Sequence, residues 1–332
     1  MVYSSPSSGD GIQRVFAIDG TTLALPDTPD IVKTYGRGRN SRGATKPLAT
    51  VSGLFDVVNK LIVDISVNPV YSSENHLAMS HLEHIGKGDL LILDRAYRCL
   101  WLMLAIQDRG GDFLIRLSAS SFPEVKEFLS SDSRDKIVTI SPSSWIEQRS
   151  AEVGIEPRPL TARLVKVLLA NGETETLLTT LCDKKRYPLI MFHQLYFMRW
   201  GIEEAFKTLK STLEIERFTG KTSRAVKQDI YAAMLLHNMQ ALLGEDNDVK
   251  KTLRQKTGKR KFEYQVNKTT ILFYLKRELL NLMLGSDIGK TIEHIKKRIT
   301  RDFLPIRDNR TYERNLNDLR VAKATMVKGI SP

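Results

Sequence analysis

Leu90-Leu91-Ile92-Leu93 is an unbroken apolar run closed by Asp94, and few architectures accept such a run. Side chains of a strand alternate between its two faces, so a strand with no polar member must have both faces covered. That predicts an α/β sheet, in which a charged residue at a strand's end falls where ligands tend to bind. Asp94 also suits the N-cap of a helix expected over residues 98–107. A second run, Val15-Phe16-Ala17-Ile18, ends at Asp19-Gly20-Thr21. It predicts a buried strand, a tight turn and a short return arm over 22–25. The local pattern leaves Asp19 either a turn residue or a site residue, because Asp-Gly is a common hairpin turn.

Further strands are expected over 48–55, 61–67 and 112–117, and a helix over 73–85 carries His76, His81 and His84 as surface or helix-end residues. Leaving out the return arm, the order is strand, strand, strand, helix, strand, helix, strand. This is the order of a ribonuclease-H-like core, and it puts Asp19 on the first strand beside Asp94 on the fourth. Residues 119–187 are serine- and turn-rich, with strands at 163–169 and 175–181 joined by Asn171-Gly172; they read as an inserted, mostly β subdomain. Residues 196–210, YFMRWGIEEAFKTLK, read as part of one amphipathic helix beginning near 189. On such a helix Tyr196, Arg199, Glu203 and Lys210 share an arc of about 60°. An i,i+4 Arg–Glu pair is equally common on a plain solvent-facing helix.

The chain has 332 residues and a formal net charge of +12, which favours a polyanionic partner. Cations cluster in an expected loop at 35–47 (Arg37, Arg39, Arg42, Lys46), at the turn of Lys221 and Arg224, in a linker at 250–261 and in an arginine-rich stretch at 305–314. Helices are expected at 228–243, an apolar core helix, and at 269–284 and 288–299. The two cysteines form no CxxC pair, and no signal peptide or bilayer-length apolar run is present, so the reading is a cytoplasmic protein with no membrane partner. The expected organisation is a flexible 1–12, core segments at 13–118 and 188–245 flanking the insertion at 119–187, and a basic helical region at 246–332.

The spacing Tyr196, Arg199, Glu203, Lys210 resembles the YREK signature of DDE transposases of the insertion sequence four family. The flanks Arg199-Trp200, Ile202-Glu203-Glu204 and Leu213-Glu214-Ile215, and the Asp19-Gly20-Thr21 strand end, are similar to that family too. After Asp94 the family has Arg-Gly-Tyr where this chain has Arg95-Ala96-Tyr97. The resemblance implies a catalytic and metal-binding trio of Asp19, Asp94 and Glu203, holding two Mg²⁺ or Mn²⁺ ions. It implies DNA contacts from Tyr196, Arg199 and Lys210, with Lys221, Arg37 and Arg39 as further candidates. The implied activity is metal-dependent cleavage of double-stranded DNA at the ends of a mobile element and strand transfer into target DNA, by a homodimer in the bacterial nucleoid, with no small-molecule substrate. Relatives have on the order of a hundred residues before the Asp-Gly-Thr strand, the scale of a small domain, so this chain reads as lacking their DNA-recognition region. Two other readings stay open at this level: a truncated, non-catalytic DNA-binding regulator, and a ribonuclease-H-like nuclease without strand transfer.

Overall fold

A computed structural model describes residues 11–40, 43–168, 172–258, 260–285 and 287–306. The chain divides into two compact units, Met1–Glu245 and Asp246–Pro332. In the first, β1 (Arg14–Ala24) leads through α1 (Pro29–Tyr35) to β2 (Arg37–Asn40), β3 (Gly43–Asp56) and β4 (Leu61–Pro69). Then come α2 (Glu74–His81), β5 (Asp89–Leu93), α3 (Leu100–Asp108) and β6 (Asp112–Leu117). β1 pairs antiparallel with β3, β3 with β4, and β1, β5 and β6 run parallel side by side. This is the ribonuclease-H-like order expected, in a mixed α/β fold.

The alternation of the strands sorts the core into two layers. Val15, Ala17, Leu90, Ile92 and Leu114 point to one face of the sheet, and Phe16, Ile18, Leu91, Leu93, Phe113 and Ile115 to the other. On the second face lie α2 and α3, whose residues Leu100 to Ile106 are all buried. Leu90 to Leu93 of β5 are all buried, as their unbroken apolar run requires, and Asp89, which opens the strand, is buried with both its oxygens held by Arg14.

Residues 119–187 contribute α4 (Pro123–Ser130), β7 (Asp135–Ile140), α5 (Ser144–Glu152), β8 (Leu160–Leu168) and β9 (Thr174–Thr179). β9 pairs antiparallel with β6, so these strands extend the same sheet in the order β6-β9-β8-β7. Asn171, expected in the turn between β8 and β9, lies outside the described residues. Arg163 on β8 is fully buried and grips both oxygens of Asp135 at 2.8 Å; its other arm donates to the carbonyl of Tyr187 at 2.8 Å. That contact fixes the chain just before the signature stretch.

Several sequence expectations are corrected. Asp19-Gly20 is no turn: β1 runs straight through it, paired with β3 from Phe16↔Asp56 to Ala24↔Leu48, because β3 is long enough to offer partners the whole way. The basic loop is a β2–β3 hairpin carrying Arg37 and Arg39; Arg42 lies outside the described residues. His81 is the last residue of α2, at a helix end as expected, but it is fully buried and not on the surface, with Asp64 2.6 Å from Nδ1 and Ser52 Oγ 3.0 Å from Nε2. These bonds tie α2 to β3 and β4, the polar satisfaction that a buried imidazole demands.

The signature stretch is two helices, not one: α6 (Ile190–Phe197) and α7 (Trp200–Ser211). Between them the amides of Arg199, Gly201 and Ile202 bond three residues back, to Tyr196, Met198 and Arg199, a tightened turn that breaks the α-helical ladder. The arc computed for one straight helix therefore does not hold across residue 199. Gly201 sits at this break, where an added Cβ would lie 2.9 Å from the Phe55 ring on β3. Gly201→Ala is expected to cost about 1–3 kcal/mol through overpacking, read as a lower denaturation midpoint at unchanged m-value. An unchanged midpoint would mean that Phe55 swings aside freely.

α8 (Ser223–Glu245) closes the unit, but only one side of it is core; Tyr231, Leu235 and Leu242 are exposed. The second unit holds α9 (Asn247–Thr257), β10 (Tyr264–Val266), α10 (Lys268–Leu284), α11 (Ile288–Ile299) and β11 (Phe303–Pro305), with β10 and β11 paired. The expected linker at 250–261 is thus helical through Thr257, because Val249 and Leu253 recur at helical spacing and are buried while Asp246 caps the first turn. The arginine-rich stretch lies outside the described residues from 307 onward.

Candidate active site

The end of β5 and the middle of β1 set the geometry. In the parallel pair of β1 and β5, Ala17 stands opposite Ile92. Two residues on along each chain are Asp19 and Asp94, and a step of two keeps a side chain on the same face. That face is the one covered by α6, α7 and α8. Ile202, Ala205, Phe206 and Leu209 of α7 bury into it, which leaves Glu203 at the layer's edge, half-buried. Sheet register puts Asp19 and Asp94 on one face, helix packing sets Glu203 at that face's edge, and Asp19 feels the charges of both.

Their fields overlap. Burial pushes the Asp19 carboxyl up to about 6; the Gly20 amide at 2.9 Å and the Arg199 charge oppose the rise, and the charges of Asp94 and Glu203 add to it. Asp94 accepts the Ala96 amide at 2.7 Å, so it caps the 3₁₀ turn Arg95–Tyr97 and not α3. Both functions expected of that residue type, strand end and cap, fall on it at once. Glu203 is held by Arg199 Nη2 at 2.6 Å.

Arg199 is 6% exposed, an unusual place for a guanidinium, and its charge lies over the rings of Tyr196 at 5.7 Å and Trp200 at 5.5 Å. Its Nε, like the hydroxyl of the buried Tyr196, has no hydrogen-bond partner among the described residues. Unpaired buried polar atoms are costly and call for a reason. Lys210 is close to β1, donating to the carbonyl of Thr22 at 2.9 Å. The Lys221 carbonyl accepts from Thr28 Oγ1 at 2.9 Å. Arg37 is engaged bidentately by Asp27 at 2.6 and 2.8 Å, and Arg39 is exposed on the same hairpin; neither joins the interactions that link the carboxylates.

Glu74 and Arg116 were not legible as site residues, and Tyr97 was read only as part of the stretch that follows Asp94. Tyr97 is 1% exposed, and its hydroxyl has no hydrogen-bond partner among the described residues; burial raises its pKa, and the charges of Asp19, Glu74 and Asp94 raise it further. Glu74 opens α2, and its own carboxyl is raised by desolvation and by Asp94; a Cβ on Gly20 would come within 3.1 Å of its Oε1, so Gly20 makes room for it. Arg116, on β6 next to β5, donates to Glu175 at 2.6 Å and feels the charge of both Tyr196 and Arg199. The alternation of DFLIRL, with Arg116 on the face of Leu114, is the one signal that points to it.

The donor chemistry fits a hard divalent cation: carboxylate oxygens, no thiol or imidazole among the three, and an Asp19 whose ionised form is only partly compensated by Gly20 and Arg199. Among the described residues no three His, Cys, Asp or Glu groups are already gathered as a finished metal site. The fit therefore rests on donor type and shared field.

A sequence profile described as Transposase DDE domain matches residues 10–239. The chain belongs to that family. This DDE domain is 26% identical over 228 residues to the transposase InsG for insertion sequence element IS4 of Escherichia coli, covering 68% of this chain and 51% of that protein. It is 35% identical over 245 residues to the putative transposase y4zB of Sinorhizobium fredii, covering 72% and 64%. The chain thus spans about half to under two thirds of these relatives' lengths. The insertion sequence four resemblance read from the YREK positions is borne out. A piggyBac transposase chain in a synaptic complex with hairpin DNA is similar over 96% of this chain and 63% of that one, at 10% identity and a TM-score of 0.45, too slight a likeness to carry an argument. DDE transposases generally use divalent metal ions. Among the described residues no helix is long and apolar enough to cross a membrane.

Proposed function

We propose that this DDE domain is the catalytic part of a DNA transposase, cutting phosphodiester bonds at the ends of a mobile element and joining the freed 3′-hydroxyl to target DNA. The observation that supports the reading is that Asp19, taken up to about 6 chiefly by burial, also feels the charges of both Asp94 and Glu203, on the sheet face that α7 covers. These three carboxylates would hold two Mg²⁺ or Mn²⁺ ions. When bound, such ions make a water or a 3′-hydroxyl a better nucleophile and offset charge on the leaving oxygen.

The remaining residues position. Arg199 fixes the Glu203 carboxylate through Nη2, and a movement of its buried side chain would bring the unpaired Nε to a phosphate oxygen. The same movement would uncover the unpaired hydroxyl of Tyr196 for that strand, and Lys210, close to β1, would neutralise a phosphate near the scissile bond. Lys221, Arg37 and Arg39 would meet the backbone farther from the cut, Arg37 by exchanging Asp27 for a phosphate. In this reading 13–118 and 188–245 form the core, 119–187 an insertion that helps hold DNA ends, and a homodimer on duplex DNA acts in the cytoplasm.

The test is supercoiled plasmid incubated with the full chain in Mg²⁺ or Mn²⁺. Nicked and joined products that need the metal support the reading. A folded chain that binds the plasmid but leaves it intact with either metal would contradict it.

A further inference from the structure

Charge is divided unevenly along the chain. Residues 1–245 hold 29 Lys and Arg against 28 Asp and Glu, a net of +1; residues 246–332 hold 21 against 10, a net of +11. The unit that carries the candidate active site thus has almost no net attraction for a polyanion. Non-specific affinity for nucleic acid comes from cations that displace condensed counterions, and nearly all the excess lies in the other unit.

Within that second unit, α9 and α11 border a cavity of about 680 Å³ lined by Lys256, Lys290, Lys296, Lys297 and Arg301, and by Asp248 and Glu293. Both carboxylates are engaged by Lys296, at 3.8 and 3.6 Å, which also meets Asp246 at 2.9 Å. Lys290 is paired with Asp287. That leaves Lys256, Lys297 and Arg301 exposed, with no carboxylate partner among the described residues. Lys297 and Arg301 are four apart across the end of α11, and Lys256 is anchored to it from α9 by donating to the Thr300 carbonyl at 2.9 Å. Cations in a helix's last turn also answer its dipole. That accounts for Lys297, but not for a lysine brought in from another helix, nor for the net charge of the whole unit.

We infer that the cleft between α9 and α11 is a phosphate-backbone site for duplex DNA, and that it supplies the salt-dependent affinity which the catalytic unit lacks. The inference rests on the transposase reading and adds to it a division of labour: chemistry in a near-neutral unit, retention of DNA in a basic one.

Binding of the full chain to a generic duplex, followed by fluorescence anisotropy between 50 and 300 mM salt, tests it. Each phosphate contact adds about 0.9 to the slope of log K against log salt. Replacing Lys256, Lys297 and Arg301 together by Ala is expected to lower the slope by about 2 to 3 and to weaken binding tenfold or more at 0.1 M salt. Replacing Lys251, Lys276 and Arg277, an equal charge from the same unit outside the cleft, is expected to change the slope by less than about 1. Should the triple cleft variant not fold, Asp248→Asn with Glu293→Gln serves instead, and is expected to steepen the slope. An unchanged slope in the cleft variants, or an equal fall in the control, overturns the inference. If the wild-type chain cuts DNA while the cleft variants bind with its slope, this inference alone fails; if the wild type neither binds nor cuts, the transposase reading falls with it.

Discussion

Glu203→Gln, Asp94→Asn and Asp19→Asn are each expected to reduce metal-dependent DNA cleavage on the order of 10³-fold or more while leaving DNA affinity within about threefold, since such electrostatic groups act chiefly on the transition state. The amides are chosen because the structure lets them keep every local bond. Asn at 94 still accepts the Ala96 amide, Asn at 19 the Gly20 amide, and Gln at 203 the Arg199 guanidinium. What each loses is charge. Single-turnover cleavage of a labelled duplex checks this, and full activity in any one variant removes that residue from the trio.

The second large effect is on stability, and it has the opposite sign. Asp19 titrates at about 6 in the folded chain, against about 3.9 when unfolded. The folded state therefore holds on to a proton that the unfolded state has released, so stability falls as pH rises from about 4 to about 6. Above that range the ionised carboxylate costs the metal-free protein about 2–3 kcal/mol. Asp19→Asn is expected to regain most of this at pH 8, raising the thermal midpoint by several degrees, and to gain nothing at pH 4. Divalent metal should narrow the gap by stabilising only the wild type. A variant no more stable than wild type at pH 8 would show that the Asp19 charge is already compensated.

Much of this was legible in the sequence because strand burial writes itself plainly. Leu90–Leu93 and Val15–Ile18 have no polar member, so the position of the residue that closes each run follows from chain geometry alone. Helix packing was read less well. The stretch from 196 to 210 has continuous helical periodicity, yet the close approach of Gly201 to Phe55 and the bonds made three residues back divide it at Arg199. Periodicity reports which residues are apolar, not whether the ladder between them is intact. Asp19-Gly20 misled for a related reason: turn propensity is local, and a 14-residue partner strand overrides it. Glu74 and Arg116 were invisible as site residues because nothing in their own neighbourhoods is unusual; only tertiary placement brings them beside Asp94 and Arg199, whereas Tyr97 follows Asp94 in the chain and only its burial was hidden. The burial of His81 depended in the same way on Ser52 and Asp64, which lie on two different strands.

The central claim, that Asp19, Asp94 and Glu203 together hold the divalent ion, is tested most directly by iron-directed cleavage of the polypeptide itself. Fe²⁺ in place of Mg²⁺, with ascorbate and peroxide, generates radicals that cut the backbone within a few ångströms of the bound metal. The expected result is a set of fragments ending near residues 19, 94 and 203, competed away by excess Mg²⁺ and lost in Asp19→Asn. Cuts confined to other parts of the chain, or an unchanged pattern in that variant, would contradict it.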